Sequence, residues 1–191
     1  ASARDHKRAF NGDEGPNTGG MGAVSPSPDE TKKLREHIIE KILNPVAKGM
    51  VLDGKPYTGI LYAGLMLTDA GPKVIEFNCR FGDPEAQVIL PRLESDLLDL
   101  ILLHCNQAQK DAAIKFSNDV AITVVMANKG YPGSYEPNSI IKDIDLISLK
   151  KDCFIYHSGT GMNQKGEIIA KGGRVLSVTA KAKSYQKARL K

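Results

Sequence analysis

The 191-residue chain is 41% hydrophobic, enough to furnish the core of one substantial domain or two small ones. Its 26 basic and 22 acidic residues leave a formal charge of +4, spread without a run of five like charges or an interleaved aromatic stripe, which favours a small anionic ligand over a nucleic-acid partner. Three widely spaced cysteines (Cys79, Cys105, Cys153) form no zinc or disulfide pattern, no apolar stretch reaches the roughly 18 residues of a membrane span, and the first residues lack a signal peptide's apolar block, so a cytosolic protein with no membrane part is expected.

In chain order, residues Asp5 to Pro28 are rich in Gly, Pro, Asn and Ser and predict a long functional loop without regular helix or strand. Asp29 is placed to cap a helix whose apolar residues Leu34, Ile38, Ile42, Val46 and Met50 recur at helical spacing, with Pro45 as a possible kink. A hairpin follows, with strands Tyr57 to Leu67 and Lys73 to Cys79 joined by a turn through Asp69 and Gly71. Asp83 and Pro84 have the types of an N-cap and first-turn pair opening a short helix that Pro91 kinks or ends, and Ser95 restarts a Leu-rich helix expected to lie buried between layers. The hydrophilic stretch from Gln107 to Asn118 separates this part from a β-rich remainder, with strands at Val120 to Ala127, Cys153 to His157 and Arg174 to Ala180. Tyr185 to Lys191 reads as the first turns of a helix, and both ends of the chain read as cuts in a longer polypeptide.

The strand Val74 to Arg80 carries the clearest chemistry. Alternation puts Glu76, Asn78 and Arg80 on one face and Ile75, Phe77 and Cys79 on the other, a pattern that an ordinary half-buried strand also shows. Glu76 and Asn78 offer adjacent hard oxygens of the kind that hold Mg²⁺ together with substrate phosphates, and Arg80 could neutralise charge on a transferring group. Gly15 to Gly22 has the closely spaced glycines that let backbone N–H groups approach an anion, although it lacks the Lys-Ser/Thr ending of a P-loop and also fits a glycine-rich surface turn. Asp5, His6, Lys7 and Arg8 combine an acid for a sugar hydroxyl with bases for a phosphate, or form a solvated face. His37, His104 and His157 lack partner spacing. Strand parity turns Cys79 away from Glu76, as a packed thiol rather than a nucleophile.

Taken together, Asp5 to Arg8, Gly15 to Gly22, Tyr57-Thr58-Gly59, the run Glu76 to Glu85 and Gly172 to Val175 resemble, in order and spacing, the phosphoribosylamine–glycine ligase family of ATP-grasp enzymes, over essentially the whole chain. The resemblance implies an α+β fold: the second subdomain of an ATP-grasp domain, an antiparallel sheet with flanking helices over residues 1–110, followed by a truncated β-rich carboxyl-terminal domain over 115–191. It also implies ATP-dependent joining of glycine to 5-phosphoribosylamine through a glycyl phosphate, with Mg²⁺ or Mn²⁺ as cofactor, in purine biosynthesis. By position, Glu76 and Asn78 match the family's metal ligands. Asp5, Lys7, Asn17, Thr18, Gly19, Gly20 and Arg80 fall in motifs resembling the phosphoribosylamine and glycine side of the cleft, with Asp83 and Glu85 nearby, and Arg80 takes the catalytic role.

One departure is of extent: the amino-terminal part of the family, with half of the nucleotide clamp, has no counterpart here, and the chain alone is expected to be inactive without that part of its polypeptide. Another is the lack of a carboxylate near Leu65 and Met66 as an additional metal ligand, from which weak metal affinity follows. Two other readings fit the same residues: a non-catalytic phosphosugar-binding or interaction module, and an ATP-grasp carboxylate–amine ligase with a different acceptor.

Overall fold

A computed structural model describes residues 1–105, 113–145 and 150–191, the side chains of His104 and Cys105 excepted. The expected boundary near 110–115 lies partly outside the described residues. Compactness divides the chain otherwise than its linear order: Ala1–Pro28, Asp83–Glu94 and Phe116–Lys191 form one unit, and Asp29–Gly82 with Ser95–Lys115 form the second.

The first unit is built on a five-stranded antiparallel sheet in the order β1-β4-β7-β12-β9, with β1 at Arg4–Asp5, β4 at Gly22–Ser25, β7 at Val120–Ala127, β9 at Cys153–His157 and β12 at Arg174–Ala182. The expected strands β7 and β9 are found with the expected limits, because the β-branched residues of β7 and the Phe-Ile-Tyr core of β9 suit a pleated surface. The segment before Pro28 departs from expectation. It contributes β1 and β4 to this sheet, and β2 (Arg8–Phe10) pairs with β3 (Glu14–Asn17) as a separate hairpin. Gly22 lies on β4 because a Cβ there would come within 2.6 Å of the Thr123 carbonyl oxygen, a closeness only glycine permits.

One face of the sheet buries Ala23 and Ala121 under Val88 of α3 (Ala86–Ile89). On the other face, Val120 and Ala182 are covered by Ala188 and Tyr185 of α5 (Tyr185–Arg189), the helix expected at that position. Between the central strands, Thr179 donates a hydrogen bond of 2.8 Å to Thr123, and both side chains are almost wholly buried. Buried Arg92 donates from Nε to Asp119 O (2.7 Å), from Nη1 to Ser25 Oγ (2.7 Å) and from Nη2 to Ser117 O (3.1 Å). This guanidinium fixes three loop ends at once. A smaller sheet, ordered β10-β11-β8 from Thr160–Met162, Ile168–Ala170 and Ser139–Ile140, packs Ala170 against Val175 and Leu176.

The second unit holds α1 (Lys32–Ile38), a π-helical turn (Ile39–Leu43), α2 (Asn44–Leu52), the hairpin β5 (Tyr62–Thr68) and β6 (Gly71–Asn78), and α4 (Leu97–Cys105). The cap of α1 is Thr31 rather than Asp29: its hydroxyl accepts from Leu34 N at 3.1 Å. The expected kink is a π turn placed just before Pro45, whose missing N–H and bulky ring oppose regular helix there. The predicted stripe is the less exposed face of this helix pair, centred on buried Ile42.

The cap of α4 is also displaced, from Ser95 to Asp96, whose carboxylate accepts from Leu98 N (2.8 Å) and Asp99 N (3.1 Å). The expected burial of α4 is not found, since Leu98 is 62% exposed and Ile101 and Leu102 are exposed as well. Apolar residues on several faces of a helix require cover, and the described residues do not supply it.

Candidate active site

Two groups of candidate residues emerge, one in each unit. In the second unit, the hairpin pairs Tyr62 with Asn78, Ala63 with Phe77 and Gly64 with Glu76, then slips by one residue at Ile75. Glu76 and Asn78 therefore lie in one uninterrupted register and share a face with Tyr62 and Gly64, while Phe77 takes the opposite face. Glycine across from Glu76 keeps that carboxylate uncrowded: a Cβ at residue 64 would stand 3.1 Å from Glu76 Cγ. The pair offers one carboxylate and one carboxamide oxygen on a solvent-accessible ledge. That donor set fits a hard cation that takes its other ligands from phosphate and water, and no group of three or more His, Cys, Asp or Glu side chains able to hold a metal occurs among the described residues. Leu65 and Met66 occupy β5 without a neighbouring carboxylate on that strand.

Arg80 does not share this face. β6 ends at Asn78, so strand parity does not reach residue 80, and the Arg80 guanidinium turns back to donate to Phe81 O at 2.8 Å. Cys79 is an exposed thiol, not a packed one, because the face expected to bury it is open.

In the first unit, Asp5 on β1 meets Lys7 at 2.7 Å, so the buried carboxyl oxygen has this ammonium as its counter-charge. The glycine-rich loop follows. Its backbone amides do not form the open anion nest that glycine spacing suggests. Thr18 N donates to Lys7 O (2.7 Å), Gly19 N to Tyr131 Oη (3.2 Å), Gly20 N to Thr18 Oγ1 (3.0 Å) and Met21 N to His6 O (2.8 Å). The Thr18 hydroxyl in turn donates to Lys7 O at 2.8 Å. Glycine is required here for packing: a Cβ at Gly20 would lie 2.4 Å from Pro84 Cδ, at a φ of +110°, and one at Gly19 would lie 3.0 Å from Arg174 Cζ. What this loop and the segment after β1 present outward is side chains, those of Lys7 and Asn17, both exposed.

Asp83 is not a helix cap. α3 begins at Ala86 after Glu85, and the Asp83 carboxylate instead accepts from Gln87 Nε2 (2.9 Å) and forms an ion pair with Arg174 Nη2 (2.8 Å). Arg174 Nη1 also donates to Gly19 O at 2.9 Å and lies 3.4 Å from Gly20 O. Sequence reasoning marked Arg174 only as part of a Gly-Gly-Arg-Val motif and missed Tyr131, for which the Gly-Tyr-Pro-Gly turn at 130–133 was the available signal. Of the histidines, His37 is exposed on α1, His157 Nδ1 meets Thr160 Oγ1 at 2.9 Å, and the side chain of His104 lies outside the described residues.

Comparison with known proteins supplies the family. The ATP-grasp (A) domain of phosphoribosylglycinamide synthetase matches residues 1–86, and the C domain of the same enzyme matches residues 121–191. The chain belongs to the phosphoribosylglycinamide synthetase family. Within it, the chain is 49% identical to the chloroplastic phosphoribosylamine–glycine ligase of Arabidopsis thaliana over 98% of this chain and 36% of that protein. It is 50% identical to the phosphoribosylamine–glycine ligase of Listeria innocua over 99% of this chain and 44% of that protein, and 47% identical to that of Vigna unguiculata over 98% and 61%. The crystal structure of phosphoribosylamine–glycine ligase from Thermotoga maritima superposes with a TM-score of 0.84 at 33% identity, covering 99% of this chain and 46% of that one. The α+β architecture expected from sequence is thus borne out, with antiparallel sheets and few helices as in that structure. The chain spans between 36% and 61% of the length of these curated relatives. Among the described residues, no helix is long and apolar enough to cross a membrane.

Proposed function

We propose that the polypeptide to which this chain belongs is an ATP-dependent ligase that joins glycine to 5-phosphoribosylamine, giving glycinamide ribonucleotide, ADP and phosphate, within purine biosynthesis. The observation that carries this reading is the shared face of Glu76 and Asn78 in a chain that matches both family domains in order.

The glycine carboxylate attacks the terminal phosphoryl group of ATP, ADP departs, and the ribosylamine amine then attacks the glycyl carbonyl and expels phosphate. No covalent enzyme intermediate is needed, so the protein's contribution is positioning and exclusion of water from the mixed anhydride. Glu76 and Asn78 hold Mg²⁺ or Mn²⁺, which when bound shields phosphate charge. Lys7 and Asn17 take the phosphosugar through their side chains, and Asp5 orients Lys7. Thr18, Gly19 and Gly20 shape that surface rather than donate to the ligand, a reading supported by the internal use of their amides. Asp83 acts on the same side through its ion pair, and Arg80 stabilises the transferring charge after swinging from Phe81. We place the sequence boundary between the ATP-grasp part and the C domain at 110–115, a reading supported by the gap between the residues that the two family models match, 1–86 and 121–191. The remaining amino-terminal part of the polypeptide completes the nucleotide clamp, and a reducing, cytosolic setting suits the free thiols of Cys79 and Cys153.

The test is ADP release by the complete polypeptide supplied with ATP, Mg²⁺, glycine and ribosylamine. Release that requires both co-substrates, with glycinamide ribonucleotide identified by mass, supports the assignment; release independent of either one rejects it.

A further inference from the structure

We propose that Arg174 and Tyr131, both within the C-domain sequence, are the positioning residues of the glycine-rich loop and set its ligand-facing side chains for the phosphosugar. The inference rests on the reading above for the ligand and on geometry for the clamp.

The peptide groups of Gly19 are gripped from both sides. Its carbonyl accepts from Arg174 Nη1 at 2.9 Å, while its N–H donates to Tyr131 Oη at 3.2 Å. The same guanidinium reaches Asp83 through Nη2–Oδ2 at 2.8 Å, Nη1–Oδ1 at 3.3 Å and Nη1–O at 3.2 Å. A forked, charge-assisted contact of this kind fixes orientation as well as distance, which the ammonium of lysine cannot reproduce. Arg174 is 22% exposed and Asp83 48%, so the pair is neither freely solvated nor sealed. Both clamp residues are themselves held. A Cβ at Gly173 would stand 2.4 Å from the Tyr131 ring, so that ring lies directly on the backbone beside Arg174. Asn128, on the same turn as Tyr131, binds the neighbouring backbone through Asn128 N to Gly173 O (2.8 Å) and Nδ2 to Gly172 O (2.8 Å). Loop amides held by protein acceptors need no ligand to order them. The loop is therefore preformed, and its adjoining side chains Lys7 and Asn17 are presented at low entropic cost to a bound phosphosugar.

The experiment compares wild type, Arg174→Ala, Arg174→Lys and Tyr131→Phe in the complete polypeptide, by amide hydrogen exchange and by steady-state kinetics. The expected result is exchange at residues 17–22 accelerated by about tenfold or more in Arg174→Ala, with the amides of β7 and β12 unchanged. KM for 5-phosphoribosylamine rises by about tenfold, with KM for ATP and kcat within about twofold. Millimolar methylguanidinium lowers the raised KM of Arg174→Ala toward wild type, and Arg174→Lys retains the raised KM. Unchanged loop exchange in Arg174→Ala overturns the proposal, as does a uniform loss of activity with all KM values intact. A wild-type polypeptide without turnover rejects the ligase reading alone, because loop exchange tests the clamp independently.

Discussion

Replacing Gly20 by alanine separates backbone strain from packing. Gly20 has φ near +110°, and a Cβ there meets Pro84 Cδ at 2.4 Å, a ring held within the chain and unable to rotate away. A left-handed backbone costs an L-residue about 1–2 kcal/mol, and forcing a carbon into a packed site costs about 1–3 kcal/mol more, so Gly20→Ala should destabilise by about 2–5 kcal/mol. Gly166 provides the control: its φ is +78°, and no atom lies within 4 Å of its added Cβ. Gly166→Ala should therefore lose the backbone part alone, about 1–2 kcal/mol. Urea unfolding of the two variants, followed by circular dichroism, measures both numbers. If Gly20→Ala proves no less stable than Gly166→Ala, the loop glycines are not there for packing, and the anion-nest reading returns.

Thr179→Val keeps shape but removes the hydroxyl that donates to buried Thr123, and should cost about 1–2 kcal/mol in the same unfolding assay. Arg92→Met leaves the backbone carbonyls of Asp119 and Ser117 without this donor, while Ser25 Oγ keeps its bond to Ser2 O, and should cost about 2–4 kcal/mol. Asp119 meets Lys183 at 2.7 Å, and the hydrogen bond from Lys183 holds its carboxyl below the ordinary value of 3.8 while the same bond raises Lys183 above 10.5. A depressed carboxyl contributes stability above its unfolded value and loses it as pH falls through the lower folded one. The raised lysine contributes below 10.5 and loses its part as pH rises through the higher folded value. The Tm difference between wild type and Asp119→Asn should accordingly be constant near neutrality and close at both extremes.

Local pattern carried much of the fold. The β-branched run of β7, the aromatic and apolar run of β9, the hairpin and the helical stripe around Ile42 were legible because each depends on neighbours in sequence. What failed depended on distant partners. Gly22 to Ser25 reads as loop until β7 is known to lie beside it, since its strand conformation comes from pairing with residues near position 123 rather than from propensity. Asp83 has the type and position of a cap, but a guanidinium ninety-one residues away claims it. The same distance hid the true use of the glycines, which make room for Pro84 and Arg174. Glu76 and Asn78 were legible because two-residue parity survives once pairing resumes past the bulge at Ile75, whereas Arg80 was not, because the strand stops two residues before it.

The central claim is that the oxygens of Glu76 and Asn78 jointly hold the divalent ion that accompanies ATP. Its most direct measurement is the Mg²⁺ dependence of ADP release by the complete polypeptide, for wild type, Glu76→Gln and Asn78→Leu. The account predicts that both variants fold with the Tm of wild type, that Asn78→Leu needs at least about tenfold more Mg²⁺, and that Glu76→Gln loses turnover at any concentration. Either variant keeping wild-type turnover at wild-type Mg²⁺ would contradict it.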